Sequence, residues 1–113
     1  MKKKIGVIFG GKSPEHEVSI ESAKTVCAKL EAAGFTALPL YAPRTGGWRL
    51  VPLKDLLAGR PLKGPAVEPS LAGGCFIKAG GGRLRPDALF PIIHGSTGED
   101  GVLQGMLELV GIP

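Results

Sequence analysis

Two polar turns in this 113-residue chain hold side chains able to do chemistry. The first, Gly10-Gly11-Lys12-Ser13-Pro14-Glu15-His16, puts a carboxylate and an imidazole at the start of a helical pattern. The second, His94-Gly95-Ser96-Thr97-Gly98-Glu99-Asp100-Gly101, follows an apolar run and leads into another helical pattern. The helix dipole stabilises an anion in the first turn by about 0.3–1 kcal/mol. Glu15 there suits either plain dipole stabilisation or hydrogen bonds from a substrate ammonium in a partly desolvated pocket. His94 either closes a strand or, beside Gly95 and helix amides, donates to a carboxylate or phosphate oxygen that approaches the backbone. Glu99 and Asp100 read as caps and turn-stabilisers, because two acids repel an anionic ligand. No second ligand stands at metal-binding spacing, so no metal site is expected in this chain. The Gly10-Gly11 turn has neither the dinucleotide fingerprint nor the Gly-Lys-Ser/Thr ending of a P-loop, so no cofactor site is expected in it.

The elements around these turns follow from apolar spacing. Ile5 to Phe9 is a short apolar run that suits a buried, central, parallel strand. Ser13 as N-cap, Pro14 as first helical residue and Glu15 in the first turn predict a helix start. Ile20, Ala23, Cys27 and Leu30 then recur at helical spacing with Val26 beside them, Glu17, Glu21, Lys24 and Glu31 can face water, and Gly34 ends the helix. Phe35 to Tyr41 reads as a second strand, completing a β-α-β unit that Pro43 closes. Residues 44–85 hold nine of the 18 glycines and four of the 10 prolines, so they are expected to leave the core as a small excursion. Its expected contents are a strand from Trp48, a short helix near Lys54 to Ala58, and a hairpin turning at Gly80-Gly81-Gly82. Ala88 to Ile93 reads as a buried strand returning to the sheet, although Pro91 calls for a bulge or an edge position. Leu103, Met106, Leu107 and Val110 give a helix with Asp100 as N-cap, and Gly111-Ile112-Pro113 begins a further strand with no chain left to build it. Both polar turns therefore fall at the carboxyl ends of strands, where open α/β sheets bind ligands.

A hydrophobic fraction of 43% and a charged fraction of 21% suit one globular domain. No apolar run approaches the roughly 20 residues of a membrane helix, and the N-terminus is too short in apolar residues for a signal peptide. Cys27 and Cys75 lack disulfide-framework or metal spacing and read as reduced packing residues of a cytoplasmic protein. The net charge of +4 is uneven, since residues 44–85 hold eight Lys/Arg against Asp55 and Glu68. Only Trp48 and Phe76 accompany those charges, which favours a solvated surface over a nucleic-acid interface. A basic nucleic-acid binder would show an association that weakens steeply with salt.

Read together, Gly10-Gly11-Lys12-Ser13-Pro14-Glu15-His16-Glu17-Val18-Ser19 and His94-Gly95-Ser96-Thr97-Gly98-Glu99-Asp100-Gly101-Val102-Leu103-Gln104-Gly105 resemble the D-alanine-D-alanine ligases. The resemblance spans both ends of the chain and leaves only Arg44 to Arg85 unspecific. It implies a three-layer, Rossmann-like α/β domain with a mainly parallel sheet, the N-terminal substrate-binding domain (residues 1–113) of an ATP-grasp ligase, truncated before the ATP-grasp domain. The implied reaction serves peptidoglycan synthesis. ATP phosphorylates the carboxylate of one D-alanine, the amine of a second attacks the acylphosphate, and dipeptide, ADP and phosphate result. By matching positions, Glu15 would bind the ammonium of the first D-alanine, the Val18 backbone would line that subsite, and His94 would contact the carboxylate. ATP and magnesium or manganese would be held by segments after Pro113, and the parent enzyme would be a cytoplasmic homodimer with no nucleic-acid or membrane partner. A D-alanine-D-lactate ligase of the same family and a non-catalytic small-ligand module remain as alternatives.

Overall fold

The computed structural model describes residues 2–11, 14–70 and 75–92. The apolar run after the lysines forms β1 (Lys4–Gly10), buried from Gly6 to Gly10. It pairs in parallel on both sides, as its composition predicts for a central strand. On one side lies β2 (Thr36–Ala42), in register from Lys4↔Thr36 to Gly10↔Ala42. On the other lies β7 (Ala88–Ile92), in register from Ile5↔Ala88 to Phe9↔Ile92. The crossover between β1 and β2 is α1 (His16–Ala32). Its end is a Schellman arrangement: the Gly34 N–H donates to Glu31 O at 3.1 Å and the Phe35 N–H to Leu30 O at 3.0 Å. Glu31 does not simply face water as its spacing suggests. Its carboxylate accepts the Ala37 N–H at 2.6 Å and so ties the helix end to β2.

Residues 44–85 are not an excursion from the core, because they continue the same sheet. After β2 come β3 (Trp48–Leu50), the short helix α2 (Leu53–Leu57), β4 (Ala66–Ser70), β5 (Cys75–Lys78) and β6 (Arg83–Leu84). Among the described residues the sheet has seven strands in the order β6-β5-β4-β3-β2-β1-β7. Pairing is parallel within β2-β1-β7 and antiparallel from β2 outward to β6. The strand from Trp48, the short helix and the glycine hairpin stand where the sequence puts them, and Lys78 N–H donates to Gly82 O at 3.0 Å across that hairpin. β4 gave no signal in the sequence, since Glu68 and Pro69 interrupt its apolar pattern and proline offers no ladder donor.

The two faces of the sheet have separate cores, set by the two-residue alternation of strand side chains. Val7, Phe9, Ala37 and Ile92 pack under α1 and α2, together with Ala23, Cys27, Val51 and Leu56. Ile8, Leu40, Val67, Phe76 and Leu84 share the other face, with Leu38, Trp48 and Leu89 against them. Leu84 of β6 joins Ile8 of β1 in that cluster because the sheet curls over itself. The expected buried strand at Ala88 to Ile93 needs correction: β7 pairs with β1 alone among the described residues, and Phe90 is 47% exposed. The edge position that Pro91 called for explains this, since a strand paired on one side tolerates a missing N–H. The helix and strand expected after Gly101, with the layer they would add, lie outside the described residues. No helix among the described residues is long and apolar enough to cross a membrane.

Candidate functional site at the carboxyl edge of the parallel strands

The turn that leaves β1 is built by backbone approach and two buried polar side chains. Gly10 has φ +96°, and a Cβ there would lie 2.3 Å from the Ala42 carbonyl oxygen. Only glycine fits so close to a neighbouring backbone. The Gly11 N–H donates to the same Ala42 oxygen at 2.7 Å, which carries the parallel pairing one residue past the strand. His16, 3% exposed, sits beneath this turn. Its Nδ1 is 2.5 Å from Gly11 O and its Nε2 is 2.8 Å from the Tyr41 hydroxyl. A carbonyl only accepts, so Nδ1 carries a proton, and in the neutral ring Nε2 accepts from Tyr41.

The helix opens later than the sequence suggests. Pro14 and Glu15 form a turn ahead of it, Glu15 is the N-cap, and the Ser19 N–H donates to Glu15 O at 2.8 Å. Burial of His16 against Gly11 fixes this start, which overrides the preference of proline for the first helical position. The Glu15 side chain makes no capping hydrogen bond to the helix. Ser13, expected as the cap, lies outside the described residues.

One turn on, Ser19 is fully buried and holds three elements together. Its hydroxyl accepts the Gly10 N–H at 2.9 Å and donates to the Ile92 carbonyl at 2.5 Å. The sequence marks the His16 imidazole as able to do chemistry but not as a buried brace, and it does not mark Ser19. Their signal was there, because the stripe Ala23-Cys27 extends back at helical spacing to both, and polar groups on a buried face take partners.

Glu15 and Val18 stand at i and i+3 on the start of α1, hence on one face, at the carboxyl end of the central strand. Glu15 is exposed and Val18 is 53% exposed. Through Ser19 the same helix start is fastened to Ile92, the last described residue of β7. His94, Glu99 and Asp100 lie outside the described residues. The buried thiols are unsuited to nucleophilic work. Burial, with a smaller push from Glu31, raises Cys27 to about 12, so the thiolate is scarce at neutral pH. Burial first and Glu17 second raise Tyr41 above its ordinary value, against an opposing pull from Arg44. Its hydroxyl therefore keeps its proton for His16. Among the described residues no group of three or more His, Cys, Asp or Glu side chains is placed to hold a metal ion. A groove of about 520 Å³ runs along the side of α1 past Glu17, Tyr41 and Arg60, but Gly10, Ser19 and Ile92 do not line it and both of its cations already pair, Lys24 with Glu21 and Arg60 with Asp55.

Comparison with known proteins agrees with this architecture. Residues 4–113 match the family model described as the D-ala D-ala ligase N-terminus. A D-alanine--D-alanine ligase of Geobacillus kaustophilus is 35% identical across 100% of this chain, which covers 33% of that protein. One from a Methylobacterium species is 38% identical across 100% of the chain, covering 31% of its length. Among solved structures, the VanG D-Ala:D-Ser ligase from Enterococcus faecalis superposes with a TM-score of 0.84 at 35% identity, over 100% of this chain and 35% of that one. The D-alanine-D-alanine ligase from Coxiella burnetii gives 0.84 at 34% identity, over 99% and 35%. The chain thus spans about a third of the length of the relatives it matches. With the family model matched from Lys4 to the last residue and the fold shared throughout, the chain belongs to the D-alanine-D-alanine ligase family and corresponds to its N-terminal portion.

Proposed function

We propose that these residues form the first-substrate side of an ATP-dependent ligase that joins D-alanine to a second small substrate for peptidoglycan synthesis. The observation that carries the reading is the position of Glu15 and Val18, on one face of a helix start at the carboxyl end of the central parallel strand, inside the matched family segment. An open α/β sheet binds ligands in that crevice. Glu15 accepts hydrogen bonds from the ammonium of the first D-alanine, where a carboxylate near the positive end of a helix stays ionised. The backbone of Val18 lines the subsite. His94 donates to the substrate carboxylate and offsets the negative charge that grows there during activation. ATP supplies the phosphoryl group for that activation. The reading assigns nucleotide and magnesium to a longer ligase chain that carries this domain.

The relatives support the division of labour. A D-Ala:D-Ser ligase and a D-alanine-D-alanine ligase match this chain equally well, with TM-scores of 0.84 in both cases. Their names share D-alanine and differ in the second substrate, so the shared domain fits the shared substrate. D-alanine, D-serine and D-lactate thus remain candidates for the second position. A coupled assay of ADP release in the full-length ligase, with D-alanine varied, tests the reading. Glu15→Gln and His94→Ala are expected to raise the first-site KM for D-alanine at least about tenfold, in keeping with loss of a charge-assisted contact. First-site affinity unchanged in both variants would sink the assignment. The 113-residue chain by itself is expected to release no phosphate from ATP in response to D-alanine.

A further inference from the structure

We propose that Ser19 is a positioning residue of the D-alanine site, an inference that rests on the reading above. Its hydroxyl sets the separation between the helix start carrying Glu15 and Val18 and the strand end that leads to His94. Among the described residues the parallel ladder between β1 and β7 runs to Phe9↔Ile92. Gly10 follows Phe9 at the end of β1, and Ile92 is the last described residue of β7. The Ser19 hydroxyl bridges them, accepting from Gly10 at 2.9 Å and donating to Ile92 at 2.5 Å. A hydroxyl is the smallest side chain that donates and accepts at once, so it can join an amide on one strand to a carbonyl on the next. The two strands are held apart by one oxygen at the edge where a substrate crevice opens.

The bridge also fixes the helix. Ser19 lies one turn after Glu15 and next to Val18, and its own N–H closes the first helical hydrogen bond onto Glu15 O. Ile92 is two residues before His94 in the chain. One buried hydroxyl therefore references both proposed walls of the ammonium and carboxylate site to the glycine turn. Full burial of Ser19 leaves no water to take over either bond.

The test is steady-state kinetics and thermal unfolding of the full-length ligase carrying Ser19→Ala, Ser19→Cys and the control Cys27→Ala. Cys27 is equally buried two turns along the same helix and has no part in the Gly10–Ser19–Ile92 bridge, so its loss reports stability alone. Ser19→Ala is expected to raise the first-site KM for D-alanine about tenfold or more, since misplacement of about 1 Å is costly to a reacting geometry, while the KM for ATP stays within about twofold. Ser19→Cys keeps the shape and a weak donor, folds where Ala does not, and is expected to raise the same KM by about threefold. Cys27→Ala is expected to lower Tm and leave both KM values within about twofold of the parent. If the Ser19 variants raise the D-alanine KM no more than Cys27→Ala does, the positioning role is overturned and the ligase reading stands. A parent enzyme with no D-alanine-dependent ATP turnover overturns both.

Discussion

The parallel block β2-β1-β7 and the antiparallel run β3 to β6 belong to one sheet, yet they are finished in different ways. In the block, β1 runs seven residues, pairs on both sides, and ends under two buried polar side chains, His16 and Ser19. In the run, strands are two to five residues long, β3 and β4 are joined through α2, and β5 and β6 by a hairpin with Gly80, Gly81 and Gly82 exposed. An antiparallel turn completes its own ladder, whereas parallel strands stop with open groups at their carboxyl ends. Side chains must then supply what the ladder lacks. Among the described residues, the block carries the buried side chains His16 and Ser19 in hydrogen bonds at one edge, which is the edge the proposed reading uses.

The largest test of this contrast removes one phenylalanine from each region. Phe9 is fully buried against Tyr41, with ring centroids 5.4 Å apart, and Phe76 is fully buried against Trp48 at 5.6 Å. Either Phe→Ala change is expected to cost about 3–5 kcal/mol in urea unfolding of the full-length protein. Their effects on substrate should part company. Phe9 lies one residue before the Gly10 turn, so its loss is expected to raise the first-site KM for D-alanine about tenfold, while Phe76→Ala stays within about twofold. Equal KM effects from the two would erase the distinction between the regions.

Two glycines give a finer comparison. Gly10 at φ +96° and Gly80 at φ +89° share a left-handed backbone, but a Cβ at Gly80 meets nothing within 4 Å while one at Gly10 meets the Ala42 oxygen at 2.3 Å. Gly80→Ala is expected to cost about 1 kcal/mol, the ordinary strain of alanine at positive φ. Gly10→Ala adds a backbone collision and is expected to cost about 2–4 kcal/mol, with loss of first-site binding. Matched Tm shifts for the pair would mean that the turn yields without disturbing the ladder.

The sequence made the parallel block legible and left its fastening obscure. Ile5 to Phe9, the stripe Ala23-Cys27 and the stop at Gly34 carry local signals that agree with one another, so β-α-β followed directly. The curl of the antiparallel run did not follow, because it depends on a core that Leu84 and Ile8 share although they are distant in sequence and have no local period. Composition misled there, since glycine and proline mark turns without saying whether the strands between them rejoin the sheet. At the site, Glu15 and Val18 stood out by position and by resemblance. Ser19 did not, because an unremarkable serine becomes informative only when Gly10 and Ile92 are seen to need it.

Tyr41 stands on β2, the seam between the regions, paired with Phe9 on the parallel side and with Arg49 on the antiparallel side. Its hydroxyl reaches the turn through His16 Nε2 at 2.8 Å. Tyr41→Phe keeps the ring packing and removes that bond, so a loss of about 0.5–1.5 kcal/mol is expected, smaller than that at Phe9, Phe76 or Gly10. Alkali separates this bond from general loosening. The folded hydroxyl titrates above the ordinary value of 10.0, so it supports the fold fully below that pH. As pH rises past 10 the unfolded chain gives up its proton while the folded chain holds it, and the parent loses stability that the Phe variant never had. The stability gap between the two should therefore narrow above pH 10 and be flat from pH 7 to 9 in urea titrations. A gap that stays constant into alkali would show that the seam is held by ring packing alone, and that the turn beneath Glu15 takes its order from Gly11 and Ser19 without help from the antiparallel side.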